Sequence, residues 1–473
     1  MVIMLMRISQ PKVVTKSGKS RLTAAITLEK EADQHEVREL WFEVDEKYHS
    51  YLCDERSDAF LVAMLQYAMR FGYDITCEAP ITAELLYNLK FHLVPILCKS
   101  SSESWKNPKI IAETSAELLK TAGAVGTGMS CGVDSFHAAF DHRNDSEGQP
   151  RLTHLFINSI GSFDANYQKL DQAGPSKEEI KEATFARARR VAESMDLPLI
   201  ESNSNFYQVY NNDLFSKTHT YATIFSVLAL QKLWGIYLFA GAGDYSQFSL
   251  YEHDTKDCGW YDLLSLNCFS MRHLRFYSEG GVKTRGKKTI AIANESLAQE
   301  ELHVCILRTD NCGKCQKCRR TMVTLDAIGK LNDFKNVFPV IYYQKNLDEY
   351  LEWLAKGFVK DDVFAIEIYN LFLKNEKYSE ILDPMIKDIK NKKYKNSLLY
   401  KQKSEIKSLK EQIKKMEKSA TKKKDQIDKQ KSMINDQKHQ LNASKNQIQK
   451  MRCSMSWRLT KPLRKVTKML KRD

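Results

Sequence analysis

Between residues 121 and 304, short unbroken apolar runs take turns with stretches whose apolar residues recur at helical spacing, the rhythm of strands and crossover helices. The pattern predicts strands over 122–129, 152–158, 198–201 and 236–240, and helices over 136–142, 177–195 and 219–233. Such alternation implies an α/β fold, a doubly wound parallel sheet with helices on both faces. Residues 1–120 follow a different pattern. Segments 21–28 and 40–44 alternate apolar with polar residues as half-buried strands do, while 57–71 and 83–93 are spaced as helices that stop at Gly72 and Pro95. This region reads as a separate α+β unit without a catalytic constellation, covering the edge or mouth of the sheet and shaping substrate entry.

Residues 334–398 carry large apolar residues at helical spacing and no chemistry, which predicts a helical cap. The composition then shifts to Lys, Gln, Ser and Asn. Every seventh residue from Ile406 is apolar (Ile406, Ile413, Ala420, Ile427, Ile434, Leu441, Ile448), whereas the matching d positions are apolar only at the ends. Residues 399–452 therefore read as a weakened coiled coil, expected to pair as a parallel homodimer; the alternative is a long solvated helix or a disordered linker. The last segment, 453–473, mixes Trp457, Leu459 and Leu463 with Arg458, Lys461, Arg464 and Lys465, a basic amphipathic tail suited to an anionic membrane surface.

The net charge of +13 sits in that tail. Residues 399–473 hold 23 Lys and Arg against 7 Asp and Glu, a charge of +16 that leaves −3 for residues 1–398. A nearly neutral body disfavours a nucleic acid partner. No apolar run is long enough to span a membrane, and the opening MVIMLMRISQ lacks the marks of an export signal. The expected setting is a reducing cytoplasm, with the tail allowing peripheral contact at the inner face of the membrane.

Two motifs carry chemistry. Ser130-Cys131-Gly132-Val133-Asp134-Ser135 lies between a strand and a helix, where a tight turn exposes backbone N–H groups and the helix start adds its positive dipole end, the makings of a phosphate trap. The hydroxyls of Ser130 and Ser135 suit phosphate oxygens, and Asp134 suits a magnesium ion between them. Downstream, Cys305, Cys312, Cys315 and Cys318 are spaced C-x6-C-x2-C-x2-C, which suits four thiolates around one structural zinc over residues 305–333, with Lys314, Lys317, Arg319 and Arg320 adding positive potential.

The hexapeptide resembles SGGxDS, the pyrophosphate-binding loop of the PP-loop ATP pyrophosphatase superfamily. With the later cysteine cluster and Phe239-Ala240-Gly241-Ala242-Gly243-Asp244-Tyr245-Ser246, the region 120–330 is similar to the 7-cyano-7-deazaguanine synthase family. The resemblance implies ATP binding at Ser130–Ser135, catalytic roles for Asp134 and Asp244, and ATP, Mg2+ and Zn2+ as cofactors. Asn158, Ser159, Asp164 and Ser246 follow strands and are plausible contacts to the nucleotide or substrate. The alternative for Asp244 is a turn-forming Asp after glycines. Cys131 stands where the pattern has its first Gly; it is either a small-residue replacement or a sulfur carrier, and no motif supplies the second thiol that sulfur transfer needs. Arg187, Arg189 and Arg190 read as surface charges, His137 as a packing or capping residue, and Arg272, His273 and Arg275 as a small basic group that could equally bind a substrate carboxylate or nothing.

The resulting expectation is an ATP-dependent synthase or ligase that adenylates a small carboxylate or amide oxygen and releases pyrophosphate. A short stretch of the tail, around Ser456-Trp457-Arg458-Leu459-Thr460, loosely resembles the tails of bacterial surface-polysaccharide glycosyltransferases, which implies work beside a glycan-assembly partner. Two alternatives stand beside it: a non-catalytic zinc-stapled scaffold that carries the coiled coil to a membrane partner, and an enzyme that modifies tRNA or a nucleobase.

Overall fold

The computed structural model describes residues 4–31, 34–100, 105–161, 163, 174–210, 215–250 and 257–469. Its main sheet contains β1 (Met4–Ile8), β2 (Lys12–Lys16), β3 (Lys19–Glu31), β4 (Gln34–Asp45), β5 (Tyr73–Cys77), β7 (Ile110–Ile111), β9 (Ala124–Gly128), β10 (His154–Ser159), β11 (Leu199–Ser204), β12 (Trp234–Ala240) and β13 (Arg275–Glu279); β6 (Ile81–Thr82) and β8 (Thr114–Ser115) form a separate pair.

The five strands after residue 121 are parallel and lie in the order β13-β12-β9-β10-β11. The chain begins this run in the middle at β9, goes outward through β10 to β11, then returns to the other side of β9 for β12 and β13. Right-handed crossovers in opposite directions put their helices on opposite faces, and the reversal opens a crevice at the carboxyl ends of β9 and β12. Both loops singled out in the sequence leave the sheet there.

The α+β segment expected as a separate unit is continuous with this sheet. β4 pairs antiparallel with the free edge of β11, joining Val44 to Ser202 and Phe42 to Ser204, and β3, β1, β5 and β7 extend the layer outward. An edge strand needs partners for its row of N–H and C=O groups, and β4 supplies them. The helix Asp58–Phe71, nearly all of it buried, packs on the helix Phe215–Ala229, and Phe60 and Phe42 both contact Phe225. Gly72 ends the first of these helices at φ +79°, as its position predicts.

Pro95 does not stop the second helix. The segment Ala83–Asn88 passes through a π-turn, Leu89–Leu93, into the helix Val94–Ser100. The wider turn lets the Val94 N–H reach the Leu89 carbonyl, so the chain continues past a residue with no N–H to give.

A compact unit spans Met1–Lys387, and a second comprises Asp388–Asp473. The helices Leu347–Val359 and Val363–Lys374 pack on one another, and the second packs on the helix Gln316–Ala327. The second unit holds most of the long helix Ser379–Cys453, followed by the short helices Met455–Leu459 and Lys461–Met469. Among the described residues, no helix is long and apolar enough to cross a membrane.

The site rests on tight packing beneath β9. A Cβ added at Gly126 would lie 2.4 Å from the ring of the fully buried Trp234. Gly126→Ala is expected to cost about 1–3 kcal/mol, measured by urea unfolding with secondary structure retained.

Candidate functional site

The chain leaves β9 at Met129, whose N–H bonds to the Phe156 carbonyl (2.8 Å), and turns sharply before the helix Val133–Asp141. Ser130 Oγ accepts the Gly132 N–H at 3.4 Å and lies 3.3 Å from Ser135 Oγ, which donates to the Gly132 carbonyl at 3.0 Å. The two hydroxyls thus face one another across the turn, beside the first helical turn, whose N–H groups have no acceptor within the helix. Val133 turns its side chain into the core and offers only its backbone.

Cys131 adopts φ +57°, the left-handed conformation that a Gly takes without strain and that costs an L-residue about 1–2 kcal/mol. Its carbonyl is held by the His303 N–H at 2.8 Å, and its side chain is fully buried. Burial pushes the thiol up to about 12, with Glu301 adding to the shift and Arg187 and Arg190 opposing it. A protonated, enclosed sulfur is a weak nucleophile at neutral pH, which favours the small-residue reading of Cys131.

Asp134 is half-buried and ion-paired to Arg285, with Lys288 Nζ 3.5 Å from Oδ1. That Oδ1 is buried without a hydrogen bond, and the Lys288 ammonium is the cation beside it. Lys288, 1% exposed, also donates to the Gly241 carbonyl at 2.6 Å and so ties the loop after β12 to the loop after β9. Burial lowers its ammonium pKa while Asp134 raises it. Arg320, whose guanidinium lies 4.0 Å from the Phe364 ring, is pushed down to about 10, by burial first and then by the neighbouring charge of Arg285. Lys317 stands within electrostatic reach of the same pair. Arg285 and Lys288 thus contact Asp134, while Lys317 and Arg320 feel its charge together with those of Asp362 and Glu367. Glu367 of the helical cap accepts from Thr284 and from the Gly286 N–H (3.1 Å), fixing the start of the helix that carries Arg285 and Lys288.

Two cavities flank the end of β12. The first, about 300 Å³, is lined by Ser130, Asp134, Ser135, Asn158, Phe156 and Tyr237, among others. Asn158 accepts from Ser202 Oγ at 3.0 Å, and Ser159 is buried. Asp164 lies outside the described residues. The second cavity, about 230 Å³, is lined by Asp244, Tyr245, Phe248, Trp260, Arg285 and Phe364, among others. Asp244 also caps a short turn, accepting from the Ser246 N–H at 2.9 Å and from its hydroxyl, so the turn-forming role is present and Ser246 is exposed.

His219 lines both cavities, and nothing in its sequence context pointed to it. Its Nε2 is 2.9 Å from Asp257 Oδ1. Burial opposes charge on the imidazole, but Cys258 and Asp257 outweigh it and hold the pKa well above the usual histidine value. The 38 residues between His219 and Asp257 hid this pairing from local pattern reading.

The four cysteines converge as expected. Cys305, Cys312, Cys315 and Cys318 bring their sulfurs within 4.8 Å of one another, with two pairs at 4.0 Å. Sulfurs placed about 2.3 Å from a tetrahedral zinc would be about 3.8 Å apart, so the cluster fits that ion with little adjustment. The Cys315 N–H points at Cys312 Sγ (3.3 Å) and the Cys318 N–H at Cys315 Sγ (3.4 Å), which favours the thiolates. Asn311 braces the turn by accepting from the Val304 and Cys305 N–H groups and donating to the Leu302 and Val337 carbonyls.

The cluster is joined to the loop after β9. His303, two residues before Cys305, makes the main-chain bond to Cys131, and Cys315 caps the helix that carries Lys317 and Arg320. Arg190 pairs bidentately with Glu301 and Arg187 bonds to Thr309 and Asp310, so two of the arginines read as surface charges fasten the helix Lys177–Ser194 to this region. Arg189 pairs with Glu201 and Glu182. His137 contacts Lys283 and Asp141, Arg272 contacts Glu84, and His273 contacts Gln231; none of the three lines either cavity.

A scan against protein-family models and searches of curated proteins and of solved structures return no match.

Two outcomes follow from this geometry. Cys312→Ser should remove one bound zinc per chain and cost several kcal/mol of stability, read by metal analysis and thermal unfolding. Iodoacetamide at about pH 8 should leave Cys131 unmodified in the folded protein, because the thiol titrates near 12; mass mapping that finds Cys131 alkylated first would contradict its packing role.

Proposed function

We propose that the chain is an ATP-dependent synthase or ligase of the PP-loop type, which adenylates a carboxylate or amide oxygen of a small substrate and releases pyrophosphate. The observation that carries this reading is the facing pair Ser130 and Ser135 at a switch-point crevice, with Arg285, Lys288, Lys317 and Arg320 gathered around Asp134. In this reading the first cavity takes the nucleotide, its aromatic wall receiving the base and the turn gripping the β- and γ-phosphates. Asp134 would hold Mg2+ at its undonated Oδ1, the ion neutralising phosphate charge, while Arg285 and Lys288 turn from the carboxylate to the phosphates. The second cavity, with its aromatic side chains, Asp244 and Arg285, would hold the substrate in line with the α-phosphorus.

The apolar a positions support a homodimer. Ile406, Ile413, Ile427, Ile434, Leu441 and Ile448 are each 51–56% exposed on the long helix of a single chain, a stripe that a second copy would cover. The basic tail supports peripheral contact with an anionic membrane, and its resemblance to glycosyltransferase tails favours a substrate from surface-polysaccharide assembly.

ATP–pyrophosphate exchange, screened against small metabolites and nucleotide sugars, tests the activity. Exchange that appears with one fraction and falls about tenfold or more in Ser130→Ala/Ser135→Ala and in Lys288→Met supports the reading; exchange indifferent to both variants contradicts it. The double variant Ile427→Asp/Ile434→Asp should convert a dimer to a monomer in sedimentation, whereas a monomeric unmodified chain at micromolar concentration would refute the pairing.

A further inference from the structure

His219 and Asp257, in the wall of the second cavity, stand beside the buried Cys258 as a mixed set of donor atoms. His219 on the helix Phe215–Ala229, with Asp257 and Cys258 at the turn Cys258–Tyr261, brings one imidazole nitrogen, one carboxylate oxygen and one sulfur within 4.8 Å of one another. Cys258 is fully buried, and its sulfur accepts the Thr220 N–H at 3.4 Å. Asp257 Oδ1 is held by the Gly259 N–H at 2.9 Å. Gly259 keeps the space open: a Cβ there would lie 3.2 Å from Asp257 Oδ1 and 3.5 Å from His219 Cε1.

The charges around these atoms also ask for a cation. Asp262, 6% exposed, accepts from the Thr220 hydroxyl, and that hydroxyl in turn lies 3.2 Å from Cys258 Sγ. Two carboxylates, a thiol and one imidazole therefore share a partly buried site. A divalent ion bound to a thiolate, a carboxylate and a neutral imidazole gives a net charge of zero at the three ligands.

We propose that His219, Asp257 and Cys258 form a second metal site, distinct from the four-cysteine cluster, for a divalent transition ion such as zinc. The S, N and O donors select against magnesium and calcium, which take oxygen alone. Arms of about 2.0–2.1 Å from nitrogen and oxygen to a tetrahedral ion set those atoms about 3.3 Å apart. The His219–Asp257 pair, 2.9 Å apart, opens by a few tenths of an ångström to admit it. Thr220 and Gly259 act as the outer supports that orient the ligands. Three protein ligands leave a coordination position for water or a substrate oxygen, so the site polarises an oxygen at the edge of the second cavity.

Counting zinc on the full-length chain, equilibrated with micromolar free zinc and freed of excess, tests the proposal without any nucleotide. The expected result is two zinc ions per chain in the unmodified protein and one in His219→Ala and in Cys258→Ser. Cys312→Ser should also hold one, retained at the second site, and Cys312→Ser/His219→Ala none. A single ion per chain in the unmodified protein overturns the proposal however the variants fold, and so does a count in His219→Ala equal to that of the unmodified protein.

Discussion

The hydrogen bond from the His303 N–H to the Cys131 carbonyl joins the two parts of the molecule that carry chemistry. Cys131 occupies a backbone conformation that resists any side chain, and an isolated strand-to-helix turn would relax out of it. Three constraints hold it: burial of the thiol, the bond to His303, and the helix that starts at once after Gly132. The bend presents its hydroxyls and N–H groups to the crevice only while that carbonyl is tied. The cysteine cluster begins two residues after His303, so it is linked to the loop through the backbone.

The same cluster sets the electrostatics. Cys315 caps the helix Gln316–Ala327, which carries Lys317 and Arg320 within electrostatic reach of Asp134, and Glu367 fixes the start of the helix that carries Arg285 and Lys288. Lys288 is the most constrained of the four, since it is buried and bridges Asp134 and Gly241. A buried ammonium such as that of Lys288 is costly unless it is paired, and Asp134 with the Gly241 carbonyl supplies its partners. The crevice between β9 and β12 is where strand order reverses.

The sequence made some of this legible because the signals were local. The strand, turn and helix around Ser130 to Ser135 and the short spacing among Cys312, Cys315 and Cys318 are written within a few residues, and the described structure has both. Strand alternation after residue 121 also read through to the parallel order. Pairing between distant edges did not: the alternation in 40–44 marks a half-buried strand but not its partner, and β11 proved to be that partner. Pro95 misled because a π-turn removes the demand for its missing N–H. His219, Asp257 and Cys258 meet only after a helix and a turn converge, and Arg285 and Lys288 reach Asp134 from 150 residues downstream, distances over which periodicity carries no information. Asp244 showed both readings at once, capping its own turn and facing a cavity.

The central claim is that the bend at Cys131 and Gly132 grips the terminal phosphates of a nucleotide. A crystal structure with magnesium and a non-hydrolysable ATP analogue tests it most directly. The account predicts β- and γ-phosphate density against the backbone of residues 131–135, with Ser130 and Ser135 hydroxyls and Lys288 in contact and the Asp134–Arg285 pair opened. Phosphates bound elsewhere on the chain, or a bend left unliganded at saturating analogue with that ion pair intact, would contradict it.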